Sequence, residues 1–269
     1  MSAGWSFEPI GTLTSCYREK FGIPRQPGLV PGARGVLKLR DEPFLRQALR
    51  GIEGFSHLWI VFVFHRHDAR AWKPSIRPPR LGGERKVGVL ASRSPHRPNP
   101  IGISVVRLAG VQADAPGGAE LTLEGVDLLD GTPVLDIKPY LAYADSVPEA
   151  SAGWADEPIE RFEVRFEPEA LREVRAREAE FPGLEALIRE TLALDPRPAF
   201  QKRRFPPASP EAQGTRYGFA LGPCDVQWEI REGCFVVVRL APEGQREGEG
   251  EGEGGGEGEG FKKNEVRRV

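Results

Sequence analysis

The sequence predicts a mainly β protein: an N-terminal β-barrel domain, a small α+β C-terminal domain and a disordered Gly/Glu tail. Three observations carry this reading. Apolar, β-branched runs recur through the first 145 residues without the strand–helix alternation that a doubly wound Rossmann sheet needs. Helical periodicity gathers in one later stretch, "EPEALREVRAREAEFPGLEALIRETLAL". The segment "EGQREGEGEGEGGGEGEG" at 243–260 has almost nothing apolar to bury, so 243–269 should stay disordered.

Taken in order, "WSFEPIGTLTS" opens with a strand, and "CYREKFGIPRQPGLVPGARGVLKL" is punctuated by Pro and Gly. Phe44, Leu45, Ala48, Leu49 and Ile52 fall at helical spacing and predict a short helix ending at Gly54. "SHLWIVFVFH" shows no alternation, which predicts a strand covered on both faces. "KVGVLA", "IGISVVRLAGVQ" and "AELTLEGVDL" follow at the spacing of barrel strands, and "DGTPVLDIKPYL" closes the series, giving a domain over 1–150. Small and acidic residues at 145–158 read as a linker. The second domain, 159–242, holds a strand, two helical segments broken at Pro182-Gly183, and strands whose last two join through a hairpin at Glu232-Gly233.

The composition narrows the function classes. The chain has 269 residues, 39% of them hydrophobic, with no apolar run long enough for a bilayer and no signal-peptide pattern, so a cytoplasmic protein is expected. Three cysteines (Cys16, Cys224, Cys234) in no metal-like spacing read as reduced thiols. The formal charge of −2 hides an asymmetry: 243–260 holds seven Glu and one Arg, so the remainder is net positive. A polyanion would meet a local basic surface. Glycine patterns in the tail lack the strand and helix of a dinucleotide site, and "RLGGERKVG" lacks P-loop spacing.

Four segments bear chemistry. In "ASRSPHRPNPIG", Pro95, Pro98 and Pro100 stiffen a loop carrying Arg93, His96, Arg97 and Asn99. That loop is either a rigid connector with solvated charges or a fixed array of donors. "PRQPGLVPGARG" is a second stiffened loop, with Arg25 and Gln26. His65 and His67, two apart at a strand end beside Asp68, share a face, but no further metal ligand is recognisable, so no metal is expected. Asp127, Asp130 and Asp136 cluster near Lys138; Asp130-Gly131 has turn chemistry, while Asp136 and Lys138 share a strand face as a cleft pair or a surface salt bridge.

"FGIPRQPGLV", "GFSHLWIVFVFH", "RPPRLGGERKVGVLASRSPHRPNPIGIS", "DLLDGTPVLDIKPYLAYADS", "DPRPAF" and "YGFALGPCDVQWEI" together resemble the TrmO (TsaA/YaeB-like) family of S-adenosylmethionine-dependent tRNA methyltransferases. The resemblance covers all but the Gly/Glu tail. It implies a β-barrel methyltransferase domain, a homodimer with the cofactor site near the subunit interface, and methylation of the exocyclic nitrogen of threonylcarbamoyladenosine beside the anticodon. It also implies S-adenosyl-L-methionine contacts at Gln26, Pro27, Gly28, His65, Arg66, Arg93, Asp127, Leu128, Leu129 and Asp130. The target in the tRNA anticodon loop carries a carboxylate that a fixed guanidinium suits, and an N–H that a base would activate. Arg93 and Asn99 are assigned to the reacting end, Asp136 as the base, and His96, Arg97 and Lys138 to substrate binding. Tyr140 could stack on an adenine, whereas Trp59 reads as core. A non-catalytic tRNA-binding barrel and a methyltransferase with another acceptor are the alternatives.

Overall fold

The structure is a computed structural model, and it describes residues 5–242. The tail 243–269, expected above to be disordered, lies outside the described residues. Six strands close a barrel: β1 (Gly11–Ser15), β2 (Arg34–Leu39), β3 (His57–Val63), β6 (Ile101–Gln112), β7 (Glu120–Glu124) and β8 (Thr132–Pro139). Their order around it is β1-β2-β7-β6-β3-β8, all antiparallel, and β8 pairs with both β3 and β1. Every second residue points inward, so Leu13, Leu37, Leu58, Ile60, Val106, Leu121, Leu123 and Val134 fill the interior.

Three elements of the first half depart from the sequence expectation. β3 does alternate: Leu58, Ile60 and Phe62 are buried, but Trp59, Val61 and Val63 on the outer face are only half-buried. Its apolar outer residues hid the period. "KVGVLA" is not a barrel strand; β4 (Ser75–Ile76) and β5 (Val87–Gly88) form a two-residue hairpin outside the barrel. The expected helix is cut short as well. α1 spans Pro43–Ala48, and Gly51, with φ of 85°, turns the chain into a separate 3-10 turn at Ile52–Gly54.

The residues read as a linker carry a short helix α2 (Ala142–Asp145) and a 3-10 turn at Gly153–Ala155. Beyond them, β9 (Val164–Phe166), β10 (Arg216–Leu221), β11 (Cys224–Arg231) and β12 (Cys234–Pro242) form a sheet of order β10-β11-β12-β9. α3 (Pro168–Arg177) and α4 (Leu184–Ala193) pack on it through Val174, Leu187 and Ile188. The β11–β12 turn has left-handed Glu232 (φ 52°) and Gly233 (φ 77°), the backbone pair that a two-residue hairpin requires. A third helix, α5 (Ala199–Arg204), has no counterpart in the sequence reading.

Asp195 and Arg197, in "DPRPAF", anchor this half. Arg197 donates from Nε and Nη2 to the two Asp195 oxygens at 2.8 Å each, and from Nη1 to the Phe205 carbonyl. Their side chains are 3% and 1% exposed. Losing one partner of such a pair would strand a buried charge, at a cost of about 3–5 kcal/mol.

The two halves share one core. Tyr17 and Val30, from the loops flanking β1 and β2, belong to the same buried cluster as Leu187 and Ile188. Gly32 N–H donates to Glu190 Oε2 (2.9 Å), Ala220 N–H to Glu19 Oε1 (2.7 Å) and Gly222 N–H to the Cys16 carbonyl (2.8 Å). Cys16, Cys224 and Cys234 are all buried free thiols, and burial pushes the Cys224 thiol up to about 11. No helix among the described residues is long and apolar enough to cross a membrane.

Candidate active site

Antiparallel pairing brings the C-terminal end of β3 to the N-terminal end of β6, Val63 facing Ile101, while Phe62 faces Val134 of β8. A cleft of about 980 Å³ opens at this end of the barrel. Its floor is apolar. The Phe62 ring lies on the backbone of β6 at Gly102, where any Cβ would run into it, and Phe64 packs edge-on against Phe62 at 5.0 Å. Phe62, Phe64, Gly102, Leu128 and Thr132 all line the cleft.

The Pro-stiffened loop forms one wall, and its rigidity extends beyond the prolines. Ser92 Oγ donates to the Val89 carbonyl (2.7 Å) and accepts from Ser94 N–H, whose own hydroxyl accepts from His96 N–H. Arg97 turns back on the loop, with Nη1 3.2 Å from the Ser92 carbonyl and 3.5 Å from that of Ser94. Arg93 instead reaches across to the other stiffened loop, where Nη1 donates to Gln26 Oε1 at 2.5 Å. Trp154, from the segment joining the two halves, donates from Nε1 to the Ala91 carbonyl (2.9 Å) and lines the cleft.

The electrostatics are lopsided. Among the described residues the lining carries eight Lys or Arg side chains and a single carboxylate, Asp127. Asp127 Oδ1 accepts from the hydroxyl of Ser104, which points into the barrel from β6. Burial pushes the Asp127 carboxyl up to about 6, against the opposing pull of the Ser104 hydrogen bond and the Arg93 charge. Burial also lowers His65 and His96, with Arg66 adding to the effect at His65, and His67 and Lys73 at His96. The His67 and His96 rings meet edge-on at 4.2 Å; His67 Nε2 and His96 Nδ1 are buried without a partner. The chain turns after Val63, so His65 and His67 do not share a strand face as expected. Among the described residues no group of three or more His, Cys, Asp or Glu could hold a metal.

With this geometry in view, comparison with known proteins is decisive. Residues 12–146 match the family model for the tRNA-methyltransferase O N-terminal domain, and residues 159–243 match the TrmO C-terminal domain. The chain belongs to the TrmO family. It is 45% identical to the tRNA (adenine(37)-N6)-methyltransferase of Escherichia coli K12, over 89% of this chain and 99% of that one. It is 48% identical to a putative S-adenosylmethionine-dependent methyltransferase, RcsF, of Pseudomonas aeruginosa PAO1, over 83% and 91%. The crystal structure of TrmO from Pseudomonas aeruginosa superposes with a TM-score of 0.71 at 41% identity, covering 89% of this chain and 99% of that one. Trp154 lies between the two segments that match the family models.

Gln26, Arg93, Asn99, Asp127, Leu128 and Leu129 all line the cleft, as do His65, Arg66, His96 and Arg97. Five other expected residues do not. Gly28 (φ 74°) donates its N–H to the Gly125 carbonyl at 2.9 Å, and with Pro27 shapes the loop behind Gln26. Asp130 Oδ1 accepts from Ser15 N–H (2.8 Å), a bond that ties it to the end of β1 and not one within its own turn. Asp136 and Lys138 form a 2.7 Å ion pair on the outer wall of the barrel, opposite Val61 and Trp59. Trp59 lies on that wall too, not in the core, donating to Asp145 Oδ2 and packing 6.1 Å from Tyr140.

Several lining groups escaped the sequence reading. The ring of Phe62, and behind the lining Ser104, which holds Asp127, were hidden as ordinary strand residues. Trp154 had one signal, a tryptophan in an otherwise small and acidic segment.

A folded-state pKa of about 6, against the ordinary 3.8, means the fold disfavours the ionised Asp127. Stability should therefore fall as pH rises between the two values, reaching a deficit of up to about 3 kcal/mol above pH 6. Asp127→Asn, whose amide oxygen can still accept from Ser104, should raise the melting temperature at pH 7.5 and leave it nearly unchanged at pH 3.5. Thermal denaturation at the two pH values checks this; an equal shift at both would contradict it.

Proposed function

We propose that the chain transfers a methyl group from S-adenosyl-L-methionine to N6 of adenine 37 in tRNA, with threonylcarbamoyladenosine as the acceptor nucleoside. The observation that carries this reading is the cleft itself: a cationic rim, an apolar floor and one raised-pKa carboxylate, all within the family's two matched regions and the segment between them. Support comes from the printed activity of the Escherichia coli relative, matched over 99% of its length. A volume of about 980 Å³ accommodates both a cofactor and an extruded nucleoside.

The donor set fits S-adenosyl-L-methionine. Gln26, Arg66, Arg93 and the backbone at Leu128 and Leu129 offer partners for its polar ends, and Phe62 and Phe64 offer apolar contact. When bound, the cofactor supplies an electrophilic methyl on a cationic sulfur. Asp127 is the counter-charge available inside the cleft. Asp127 also replaces Asp136 as the base in this reading, because Asp136 lies on the outer wall of the barrel, paired with Lys138. The carboxylate would accept the N6 proton as the methyl passes from sulfur to nitrogen and a neutral thioether leaves, and a pKa of about 6 leaves it ionised at neutral pH. Arg93 and Asn99, on the braced loop, orient the acceptor, and rigidity lowers the ordering cost of binding. His96 and the nearby cations suit the threonyl carboxylate. An anticodon loop is single-stranded, so extruding its base costs less than in a duplex. This reading implies a cytoplasmic protein.

Nucleoside mass spectrometry tests the reaction and the acceptor together. Incubation with S-adenosyl-L-methionine should add one methyl to threonylcarbamoyladenosine in a tRNA pool that carries it. A pool lacking that modification should gain none. Product in neither pool, with cofactor still bound, would instead leave a non-catalytic barrel.

We also propose a homodimer through the outer wall of β3 and β6. Trp59, Val61 and Val63 pair there with Val105, Ile103 and Ile101, and Ile101 and Ile103 are 37% and 47% exposed. Val63, Ile101 and Ile103 continue into the cleft, so a second copy seated on this patch would border it. Sedimentation equilibrium should give a dimer for the native chain and a monomer for Ile103→Lys. A native monomer at micromolar concentration would refute the dimer.

A further inference from the structure

A second cleft of about 760 Å³ lies between the barrel and the C-terminal half. It is continuous with the first: Lys20, Ile23, Pro24, Arg25 and Pro79 line both. Two cations from different halves meet in it, Arg25 from the loop after β1 and Lys202 from α5.

Neither is neutralised in the way a structural cation would be. Among the described residues no hydrogen bond or ion pair holds the Arg25 guanidinium; it is open to water along the cleft, yet the protein packed around it lowers its pKa. Lys202 Nζ lies 3.4 Å from the Leu194 carbonyl and 4.0 Å from Asp195 Oδ2. Both oxygens of that carboxylate are already engaged by Arg197. Burial acts most strongly against the Lys202 charge; Asp195 and, less, Glu160 offset this in part, while Arg25 and Arg197 add to it. Arg80 donates to the Glu157 backbone carbonyl. The cleft is also lined by Glu157, Glu160 and the Arg197-bound Asp195, yet Arg25 and Lys202 repel each other in partly desolvated surroundings, which an oxyanion between them would relieve.

Both cations sit on stiff segments. Pro24 precedes Arg25, and Pro196 and Pro198 lead into α5. The site is therefore formed before any ligand arrives, and a guanidinium opposite an ammonium suits a phosphate diester.

We propose that Arg25 and Lys202 form an inter-domain phosphate site that grips the tRNA backbone beside the nucleotide held in the first cleft. The inference rests on the methyltransferase reading and gives the C-terminal half a role in it: α5 supplies one side of an RNA contact whose other side belongs to the barrel. Because Arg25 borders both clefts, the strand that delivers a base into the first passes over it.

The test is fluorescence anisotropy of a labelled anticodon stem–loop RNA, with and without the threonylcarbamoyl group, across a salt series. The proteins are the native chain, Arg25→Gln, Lys202→Gln, the double variant and Lys202→Arg. Lys38→Gln, which removes a cation paired with Glu120 on the barrel, serves as the control. One lost phosphate contact in a single strand should reduce the slope of log K against log salt by about 0.7 in the double variant, with the single variants between it and the native chain. Affinity should fall equally for both RNAs. Lys202→Arg and Lys38→Gln should match the native chain, and equilibrium dialysis should give unchanged S-adenosyl-L-methionine affinity throughout. Native slope and affinity in the double variant would overturn the site. So would a loss confined to the threonylcarbamoyl RNA, which would make the ligand that group's carboxylate, and so would a loss of cofactor affinity. Failure of the native chain to bind either RNA would remove the tRNA reading as well.

Discussion

Closure of the barrel by β8 is the constraint on which the site depends. One strand must pair with β1 along Gly11–Leu13 and with β3 along Leu58–Phe62, two strands that do not pair with each other. A bulge at Leu135 lets it do both by adding the bend and twist that closure needs. Closure then fixes where the strand ends lie. Phe62 is pressed onto the Gly102 backbone, the floor of the cleft is sealed, and Ser104 is aimed up at Asp127. Asp127 has its unusual pKa because the sealed, apolar barrel end lies beneath it.

Above that floor the protein relies on stiffness more than on ion pairing. Three prolines, two serine hydroxyls and the recurved Arg97 hold the 91–100 loop, so that Arg93 meets Gln26 with little freedom left to lose. The arginines of the loop divide the labour: Arg97 braces it, and Arg93 is presented. The C-terminal half adds a wall and not merely an appendage. Its α4 packs into the core shared with Tyr17 and Val30, and the segment leading to it docks Trp154 on Ala91. The buried Asp195–Arg197 pair holds the turn from α4 to α5, and through it the position of Lys202.

Much of this was legible in the sequence where period and turn chemistry are strong. β6, β7, β8 and the Glu232-Gly233 hairpin follow from alternation and from residues that tolerate positive φ. The departures have physical causes. β3 looked covered on both faces because its outer residues are as apolar as its inner ones. "KVGVLA" is too short an apolar run to reveal which sheet it joins. α5 carries one large apolar residue in six, which leaves no stripe to detect. Asp136 is the most instructive case. Counting by twos from inward Val134 places it inside the barrel, but the extra residue at Leu135 turns it out to face Val61 and sends Ile137 inward. The carboxylate that does face the cleft, Asp127, lies nine residues earlier in the same acidic stretch. Much of the cationic rim was also out of reach, because Lys20, Lys73, Arg77 and Lys86 come from separate segments that only the fold assembles.

We place the proposed methyl transfer at the barrel end and not on its outer wall. A crystal structure with S-adenosylhomocysteine separates the two. The ligand should lie on the Phe62–Gly102 floor, in contact with Gln26, Arg93, Asp127 and the Leu128–Leu129 backbone. Density for the ligand at the Asp136–Lys138 pair, or anywhere away from Asp127, would contradict it.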